Sequence, residues 1–196
     1  MRVSFVDLRV QYLSIKSEID KAIQDVIYDA VFIGGKYVRE FETEFANYCK
    51  IKHCVGVGNG TDALFIGLKT LGIGKGDEVI TAANSFIATA EAITMTGAKV
   101  VFVDCNNKTY NIDTQKLEQA ITKNTKSIIP VHLYGQPADM DPIIEIAKKY
   151  NLYIIEDVCQ AHGAKYKNKN IGTIADCGCL IFSLAKILVL MEMQEL

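Results

Sequence analysis

Apolar residues recur along this chain with two different spacings, one typical of helices and one typical of buried strands. In residues 15–30 the apolar side chains fall on one helical face, which predicts an amphipathic helix, and Val38, Phe41, Phe45 and Tyr48 predict a second. Short β-branched runs and further helical segments then alternate. We predict strands at residues 54–57, 78–81, 99–104, 127–131 and 152–156, and helices at about 61–71, 85–96, 113–121 and 142–150.

This alternation of strand and helix indicates the fold class. Because the connections are short, neighbouring strands are expected to run parallel and to be joined by right-handed crossovers. The strands are apolar on both faces, as a sheet covered by helices on both sides requires. We therefore predict an α/β fold, a mainly parallel sheet flanked by helices, whose ligands bind at the carboxyl ends of the strands.

Composition narrows the possible partners. The 196 residues carry a net charge of −2, without the basic excess that binding to nucleic acid or an anionic membrane would require. The first residues lack the apolar core of a signal peptide, and the longest apolar run, residues 177–191, is interrupted by Ser183 and Lys186 and is too short to span a bilayer. We expect a cytoplasmic protein that binds neither nucleic acid nor membrane. The six cysteines and three histidines show no ligand pattern, so no metal site is predicted.

Asp157 follows the last predicted strand, in the run Ile154-Ile155-Glu156-Asp157. An isolated charge at the end of a buried strand would cost several kcal/mol, so a partner is expected. A protonated pyridine nitrogen would serve, as in enzymes that hold pyridoxal phosphate (PLP) as an electron sink. The simpler interpretation is that Asp157 caps the following turn. This segment by itself leaves both interpretations open.

Residues 59–61, Asn-Gly-Thr, join a predicted strand to a predicted helix. Gly60 permits close backbone approach, and the free amides and the Thr61 hydroxyl at a helix N-terminus can bind a phosphate. An Asn-Gly turn with a threonine cap is the alternative. The glycines of residues 56–60 also hint at a dinucleotide fingerprint, but the third glycine is one place early and no acidic residue ends the next strand.

Two further strand ends carry groups that suit a flat, polar ligand. Phe86 follows one predicted strand and could stack on a cofactor ring, although a place in the core would be favoured if this residue were considered alone. The sequence His-Leu-Tyr-Gly at residues 132–135 follows another strand. Four strand ends thus offer a phosphate cradle, a ring stacker, polar contacts and a carboxylate for a ring nitrogen. The combination is more specific than any one of its members.

This combination resembles the sugar-nucleotide aminotransferases of the DegT/DnrJ/EryC1/StrS family, which have the aspartate-aminotransferase-like PLP fold. The similarity covers the chain to about residue 180, and its main motifs are residues 5–8, 58–64, 86–92, 130–135 and 156–164. The resemblance implies the large domain of a fold-type I PLP enzyme. It also implies a nucleotide-sugar substrate, an amino-acid donor, which we expect to be glutamate, and a homodimer.

The resemblance further implies roles for six residues. They are phosphate binding by Gly60 and Thr61, ring stacking by Phe86, pairing of Asp157 with the pyridinium nitrogen, a contact of Gln160 near the phenolic oxygen, and catalysis by Lys186. In the family a lysine binds the cofactor covalently and then carries protons between the cofactor and the amino donor or keto sugar. That role requires an amine that loses its proton near neutral pH.

The resemblance breaks after residue 180. The phosphate-binding serine of the family is replaced by Ile181, and no glycines follow Lys186. We hypothesise a frameshift, because a family-like coding sequence that loses the G of that serine's codon translates into residues 180–196 as they stand. The lysine survives because its codon lies in a run of adenines. Under this hypothesis residues 1–180 are an incomplete PLP-binding large domain, residues 181–196 are an aberrant tail, and the C-terminal small domain is absent.

Three functions remain open at this point. The first is a PLP-dependent aminotransferase acting on a nucleotide-linked keto sugar, such as a dTDP-linked 3-keto-6-deoxyhexose, in surface-polysaccharide or amino-sugar biosynthesis. The second is a PLP-dependent sugar dehydratase of the same family, which has histidine in place of the lysine, so Lys186 argues against it. The third is an inactive truncated fragment or pseudogene product. We predict that the 196-residue chain itself is inactive or nearly so.

Overall fold

The computed structural model describes residues 7–182, which form two compact units, residues 7–56 and residues 57–182. The first unit is helical, with α1 (Leu8–Ser14), α2 (Lys16–Asp29) and α3 (Gly35–Cys49). Asp7 caps α1, because its Oδ1 accepts hydrogen bonds from the amides of Arg9 at 3.1 Å and Val10 at 3.2 Å. The two helices predicted from apolar spacing are confirmed as α2 and α3, and α1 is an additional element.

The second unit contains a sheet and the helices that cover it. In chain order its elements are α4 (Gly60–Thr70), β1 (Glu78–Ala82), α5 (Ile87–Met95), β2 (Lys99–Val103), α6 (Thr114–Gln119), β3 (Thr125–Ile129), α7 (Met140–Tyr150), β4 (Tyr153–Asp157), β5 (Lys165–Tyr166), β6 (Lys169–Asn170) and β7 (Cys177–Cys179). Strands β2-β1-β3-β4-β7 form a parallel sheet in that order, and β5 and β6 form a small antiparallel hairpin. The predicted α/β class with a mainly parallel sheet is confirmed.

The strands β1, β3 and β4 are buried on both faces, as their apolar sequences predicted, whereas the edge strand β2 exposes part of its length, with Phe102 56% exposed. Successive side chains of a strand point to opposite faces. In β4, Ile155 packs in a core cluster with Leu64 of α4, whereas Ile154 packs in another with Ile143 of α7. Burial of each such side chain stabilises the fold by ~1.5–3 kcal/mol. The two faces therefore hold the strand in one register.

Two sequence-based predictions about strands were wrong. Residues 54–57 pair with no strand among residues 7–182, and Val55 is 74% exposed. A strand needs a neighbour for its amide and carbonyl groups, which a local apolar pattern cannot supply. Conversely, β7 was not predicted, because Cys-Gly-Cys has no β-branched residue. Its glycine has a structural reason, since a Cβ on Gly178 would lie 2.2 Å from the carbonyl oxygen of Gly172.

Helix α7 begins two residues earlier than predicted. It starts at Met140 after the N-cap Asp139, so Pro142 is the third helical residue and not the first. Proline fits there because the N–H groups of the first turn have no acceptor within the helix. Among the helices of residues 7–182, none combines the length and apolarity needed to cross a membrane.

Candidate cofactor site

Asp157 lies at the carboxyl end of β4, between β3 and β7, and is only 4% exposed. Its Oδ2 accepts a hydrogen bond from the hydroxyl of Thr89 on α5 at 2.8 Å, and its Oδ1 accepts one from the amide of Cys159 at 3.1 Å. The second bond is the turn cap that was one interpretation of Asp157. The carboxylate can accept further hydrogen bonds besides the cap, because each oxygen has a second lone pair.

The charge of this carboxylate has no cationic partner among residues 7–182, since none of their ion pairs involves Asp157. Its two donors there are a neutral hydroxyl and a neutral amide. A buried carboxylate in such a setting favours a cationic ligand, because an unpaired buried charge is costly. A protonated pyridine nitrogen fits this requirement.

The N-terminus of α4 provides donors for an anion. Asn59 caps the helix, because its Oδ1 accepts from the amide of Asp62 at 2.9 Å and its carbonyl accepts from the amide of Ala63 at 3.0 Å. In the part of the chain that the structure describes, the amides of Gly60 and Thr61 have no acceptor. Two such amides at the positive end of a helix dipole can bind a phosphate. The predicted cap and the predicted cradle therefore coexist.

Gly60 is where this helix N-terminus approaches the strand end. A Cβ on Gly60 would lie 2.9 Å from Sγ of Cys159 and 3.1 Å from Cβ of Ile181. The first contact brings the cradle next to the turn that follows Asp157. The second places Ile181 against the cradle, at the position where the family resemblance implies a phosphate-binding serine. Isoleucine cannot donate a hydrogen bond there.

Phe86 is the residue before α5 and is 64% exposed, so the interpretation that it belongs to the core was wrong. Its carbonyl accepts a hydrogen bond from the amide of Thr89 at 3.2 Å. Phe86 is therefore hydrogen-bonded through its carbonyl to Thr89, whose hydroxyl donates to the Asp157 carboxylate. An exposed aromatic side chain at this edge of the sheet suits stacking on a planar ring.

Gln160 lies one turn beyond Asp157 and links two loops. Its Oε1 accepts a hydrogen bond from the amide of Tyr134 at 3.3 Å, which leaves the side-chain amide group available as a donor. Tyr134 has a φ of 55°, a left-handed conformation that is uncommon for a bulky residue. Strain of this kind costs ~1–3 kcal/mol and is concentrated at functional sites.

A second buried carboxylate, Glu156, immediately precedes the site carboxylate in β4. Its Oε2 accepts from the amide of Gly172 at 2.8 Å and lies 3.1 Å from Nε2 of His132, and its Oε1 accepts from the amides of Ile174 at 2.8 Å and Ala175 at 3.0 Å. Burial raises the pKa of this carboxyl, but the hydrogen bonds from His132 and the backbone amides outweigh burial and hold the pKa below its usual value of 4.5.

Five of the six predicted site residues lie at the carboxyl edge of the sheet, and their assignment to a cofactor stays a prediction. They are Gly60, Thr61, Phe86, Asp157 and Gln160. The sixth, Lys186, lies outside the described residues. Thr89 was missed by sequence reasoning, because nothing in its local pattern distinguishes it from the other polar residues of α5. The link between His132 and Glu156 was also missed, although a glutamate inside an apolar strand indicates a buried partner.

Comparison with known proteins decides the family. The model of the DegT/DnrJ/EryC1/StrS aminotransferase family matches residues 13–192. The chain belongs to the DegT/DnrJ/EryC1/StrS aminotransferase family. This membership confirms the resemblance noted from the motifs. DegT/DnrJ/EryC1/StrS enzymes are PLP-dependent.

Curated relatives of this chain are identical to it at nearly half of the aligned positions. A pleiotropic regulatory protein of Geobacillus stearothermophilus is 48% identical over 182 residues, which are 93% of this chain and 49% of the relative. The UDP-2-acetamido-2-deoxy-3-oxo-D-glucuronate aminotransferase of Pseudomonas aeruginosa is 47% identical, over 92% of this chain and 50% of the relative. The dTDP-3-amino-3,6-dideoxy-alpha-D-galactopyranose transaminase of Aneurinibacillus thermoaerophilus is 46% identical, with the same two coverages of 92% and 50%. The chain thus spans about half the length of these curated relatives.

Solved structures of the family support the fold. Streptomyces venezuelae DesV in complex with a ketimine intermediate superposes with a TM-score of 0.92 at 42% identity, over 95% of this chain and 50% of that one. NtdA from Bacillus subtilis, solved with bound cofactor PMP, superposes with a TM-score of 0.79 at 39% identity, over 88% of this chain and 40% of that one. The chain therefore matches half or less of each of these two solved chains.

Proposed function

We propose that this chain is the cofactor-binding part of a PLP-dependent aminotransferase that transfers an amino group from glutamate to a nucleotide-linked keto sugar. The observation that carries the proposal is the buried Asp157 carboxylate, which has neutral donors and no ion pair within residues 7–182. Family membership supports the reaction class.

The described residues fit the cofactor on two independent counts. Gly60 and Thr61 present amides without acceptors to a phosphate, and the absence of a side chain on Gly60 lets this helix N-terminus pack against Cys159 beside the strand end. Asp157 presents a buried negative charge to the ring nitrogen, and such a charge favours the protonated form of that nitrogen. When bound, PLP supplies the electron sink that transamination requires.

Three side chains then orient the ring and move protons. Phe86 would cover one face of the ring, and the side-chain amide group of Gln160 would donate toward the phenolic oxygen. Lys186, outside the described residues, would hold the cofactor covalently and carry the proton to and from the reacting amine. This task requires a lysine amine with a lowered pKa, which a cationic and partly desolvated site promotes.

The substrate class follows from the relatives as a proposal. One is an aminotransferase of a UDP-linked 3-oxo sugar and another is a transaminase of a dTDP-linked 3-amino-3,6-dideoxy sugar. We propose a nucleotide-linked 3-keto sugar, with a dTDP-linked 3-keto-6-deoxyhexose as the specific candidate. The proposal includes a homodimer for the intact protein and a cytoplasmic role in surface-polysaccharide or amino-sugar biosynthesis.

Titration of the pure 196-residue chain with PLP tests the cofactor part of the proposal. We expect an absorbance band in the visible that disappears in Lys186→Ala and weakens in Asp157→Asn. Asp104→Asn is the control, because Asp104 also follows a strand of this sheet, the edge strand β2, but already pairs with Lys116 at 2.7 Å. A band of unchanged strength in Asp157→Asn, or one that weakens equally in the control, would contradict the proposal.

The 196-residue chain itself is proposed to bind the cofactor without completing the reaction. Ile181 stands where the family resemblance implies a phosphate-binding serine, and an isoleucine side chain cannot donate a hydrogen bond to a phosphate. Measurable transamination by the pure chain would contradict this inactivity. Sequencing of the gene around codon 181 tests the frameshift, which requires a family-like second reading frame beyond that codon.

A further inference from the structure

We infer that Glu156 and His132 form a positioning pair that fixes the direction of the Asp157 carboxylate. The inference rests on the proposed cofactor role of Asp157 and assigns a role to two residues on the other side of β4. Adjacent residues of a strand face opposite sides of the sheet, so Glu156 cannot meet a ligand bound at Asp157. Glu156 and His132 are both 0% exposed. They are therefore positioning residues and not catalytic residues.

The hydrogen bonds of His132 determine its protonation. Its Nδ1 accepts a hydrogen bond from the amide of Ala138 at 2.9 Å, so that nitrogen carries no proton. The proton of the neutral ring then lies on Nε2, which donates to Oε2 of Glu156 at 3.1 Å. A second ring proton would break the bond to Ala138 in a fully buried site. The pair is thus a neutral histidine on an ionised glutamate.

The pair reaches Asp157 through the main chain. The amide of His132 donates to the carbonyl of Asp157 at 3.0 Å, and the amide of Asp157 donates to the carbonyl of Pro130 at 2.9 Å. Residues 130–132 therefore hold the Asp157 backbone on both sides of its Cα atom. The ring of His132 also donates a hydrogen bond from Nε2 to the side chain of Glu156, the residue next to Asp157. A main-chain link and a side-chain link together leave the strand end little freedom to rotate.

Glu156 is the common anchor of the pair and of a third segment. Beyond His132, its carboxylate accepts from three amides of residues 172–175. Substitution of Glu156 would therefore release residues 172–175 as well as His132, whereas substitution of His132 affects residues 130–132 and the amide of Ala138 but leaves residues 172–175 bound. His132→Phe is the sharper test for this reason. His132→Gln is the conservative variant, because its side-chain amide can still donate to Glu156.

The test must separate positioning from loss of stability. Leu117→Ala is the control, since Leu117 is 0% exposed in α6, in the core on the α7 side of the sheet. PMP labelled with ¹⁵N in its ring is added to each full-length variant, and the nitrogen resonance reports whether the ring nitrogen is protonated. We expect His132→Phe to bind PMP about tenfold more weakly, the loss that one hydrogen bond to a charged group can cause. Its ring-nitrogen resonance should also move toward the unprotonated value.

The outcomes decide the inference in both directions. Leu117→Ala should lower the melting temperature at least as much while the resonance of bound PMP stays at the protonated value, and His132→Gln should restore that value in part. An unchanged resonance in His132→Phe, or an equal change in Leu117→Ala, would overturn the inference.

The ligand-free chain provides a second readout that does not depend on the proposed function. The amide of Cys159 donates to Oδ1 of Asp157, so its exchange with solvent reports the position of the carboxylate. We expect faster exchange of this amide in His132→Phe and not in Leu117→Ala. A Cys159 amide that is unaffected in His132→Phe would refute the pair even if the chain bound no PMP, a result that would count separately against the proposed function.

Discussion

The hydroxyl of Thr89 donates a 2.8 Å hydrogen bond to Oδ2 of Asp157 across 68 positions of the chain. Both residues are buried, Thr89 on α5 and Asp157 at the end of β4. Because a hydroxyl is neutral, it orients the carboxylate without cancelling its charge. The negative charge therefore stays available to a cationic ligand, while the side chain keeps a defined direction.

Removal of this hydroxyl should weaken both the fold and the site. Thr89→Val has nearly the same shape but leaves a buried lone pair of Asp157 without its donor, so we expect the free energy of unfolding to fall by ~1–3 kcal/mol. We also expect PLP to bind about tenfold more weakly, because the carboxylate loses its orientation. Urea denaturation and PLP titration measure the two effects. Thr89→Ser keeps the hydroxyl, and an equal loss in that variant would contradict the explanation.

Ile181→Ser should strengthen cofactor binding. Cβ of Ile181 would lie 3.1 Å from a Cβ on Gly60, so a serine hydroxyl at this position is placed at the phosphate cradle. A hydrogen bond to a charged group contributes ~1.5–3 kcal/mol, which corresponds to at least about tenfold in the dissociation constant of PLP. The constant is measured by titration of the absorbance band. Ile181→Val is the control without a hydroxyl, and a similar gain in that variant would show that the serine is not a phosphate ligand.

Gly60→Ala should damage the site, whereas Gly67→Ala in the same helix should not. The added Cβ would lie 2.9 Å from Sγ of Cys159 at position 60 but no closer than 3.5 Å to any atom at position 67. We expect Gly60→Ala to lower the melting temperature and to abolish most PLP binding. Gly67→Ala should be neutral or stabilise by up to ~1 kcal/mol, because alanine favours a helix interior. The double variant Gly60→Ala with Cys159→Gly should recover part of the lost stability, and no recovery would contradict a clash with the thiol.

Acid should reveal the contribution of Glu156 to stability. Hydrogen bonds hold the pKa of this carboxyl in the folded chain below 4.5, so as pH falls the unfolded chain takes up this proton first. The stabilisation is complete above pH 4.5 and is lost as pH falls through the lower, folded-state pKa. Glu156→Gln should lower the free energy of unfolding by ~1.5–3 kcal/mol near neutral pH, because buried amide donors lose an ionised acceptor.

The difference in the free energy of unfolding between the original chain and Glu156→Gln should become smaller in acid. Urea unfolding of the original chain and of Glu156→Gln, followed at several pH values from neutrality to below 4.5, measures this difference. Glu118→Gln is the control, since Glu118 is a surface carboxylate paired with Lys149, and we expect it to change stability little. If the difference in the free energy of unfolding between the original chain and Glu156→Gln did not change with pH, the role assigned to the ionised carboxylate would be contradicted.

Local sequence patterns were sufficient for the elements that contain enough residues to show a period. Helices α2, α3 and α5 and strands β1 and β2 lie where the apolar spacing predicts them. The pattern failed at residues 54–57, where apolar alternation occurs without a pairing strand among residues 7–182. It also failed at β7, whose three residues are too few to show any period. A strand forms only when a segment distant in sequence pairs with it, and a local apolar period shows only that a segment is able to pair.

Over residues 60–157 the sequence by itself determined the alternation of α-helices and strands and the position of Gly60 and Asp157 at a helix end and a strand end, because these depend on neighbouring residues. Only the tertiary structure decided which side chains complete the site. Thr89 meets Asp157, Ile181 meets Gly60, and His132 meets Glu156 because parallel pairing brings distant segments to one edge of the sheet. Contacts at such separations depend on strand register and on the packing of helices across the sheet, which no local pattern of residues specifies.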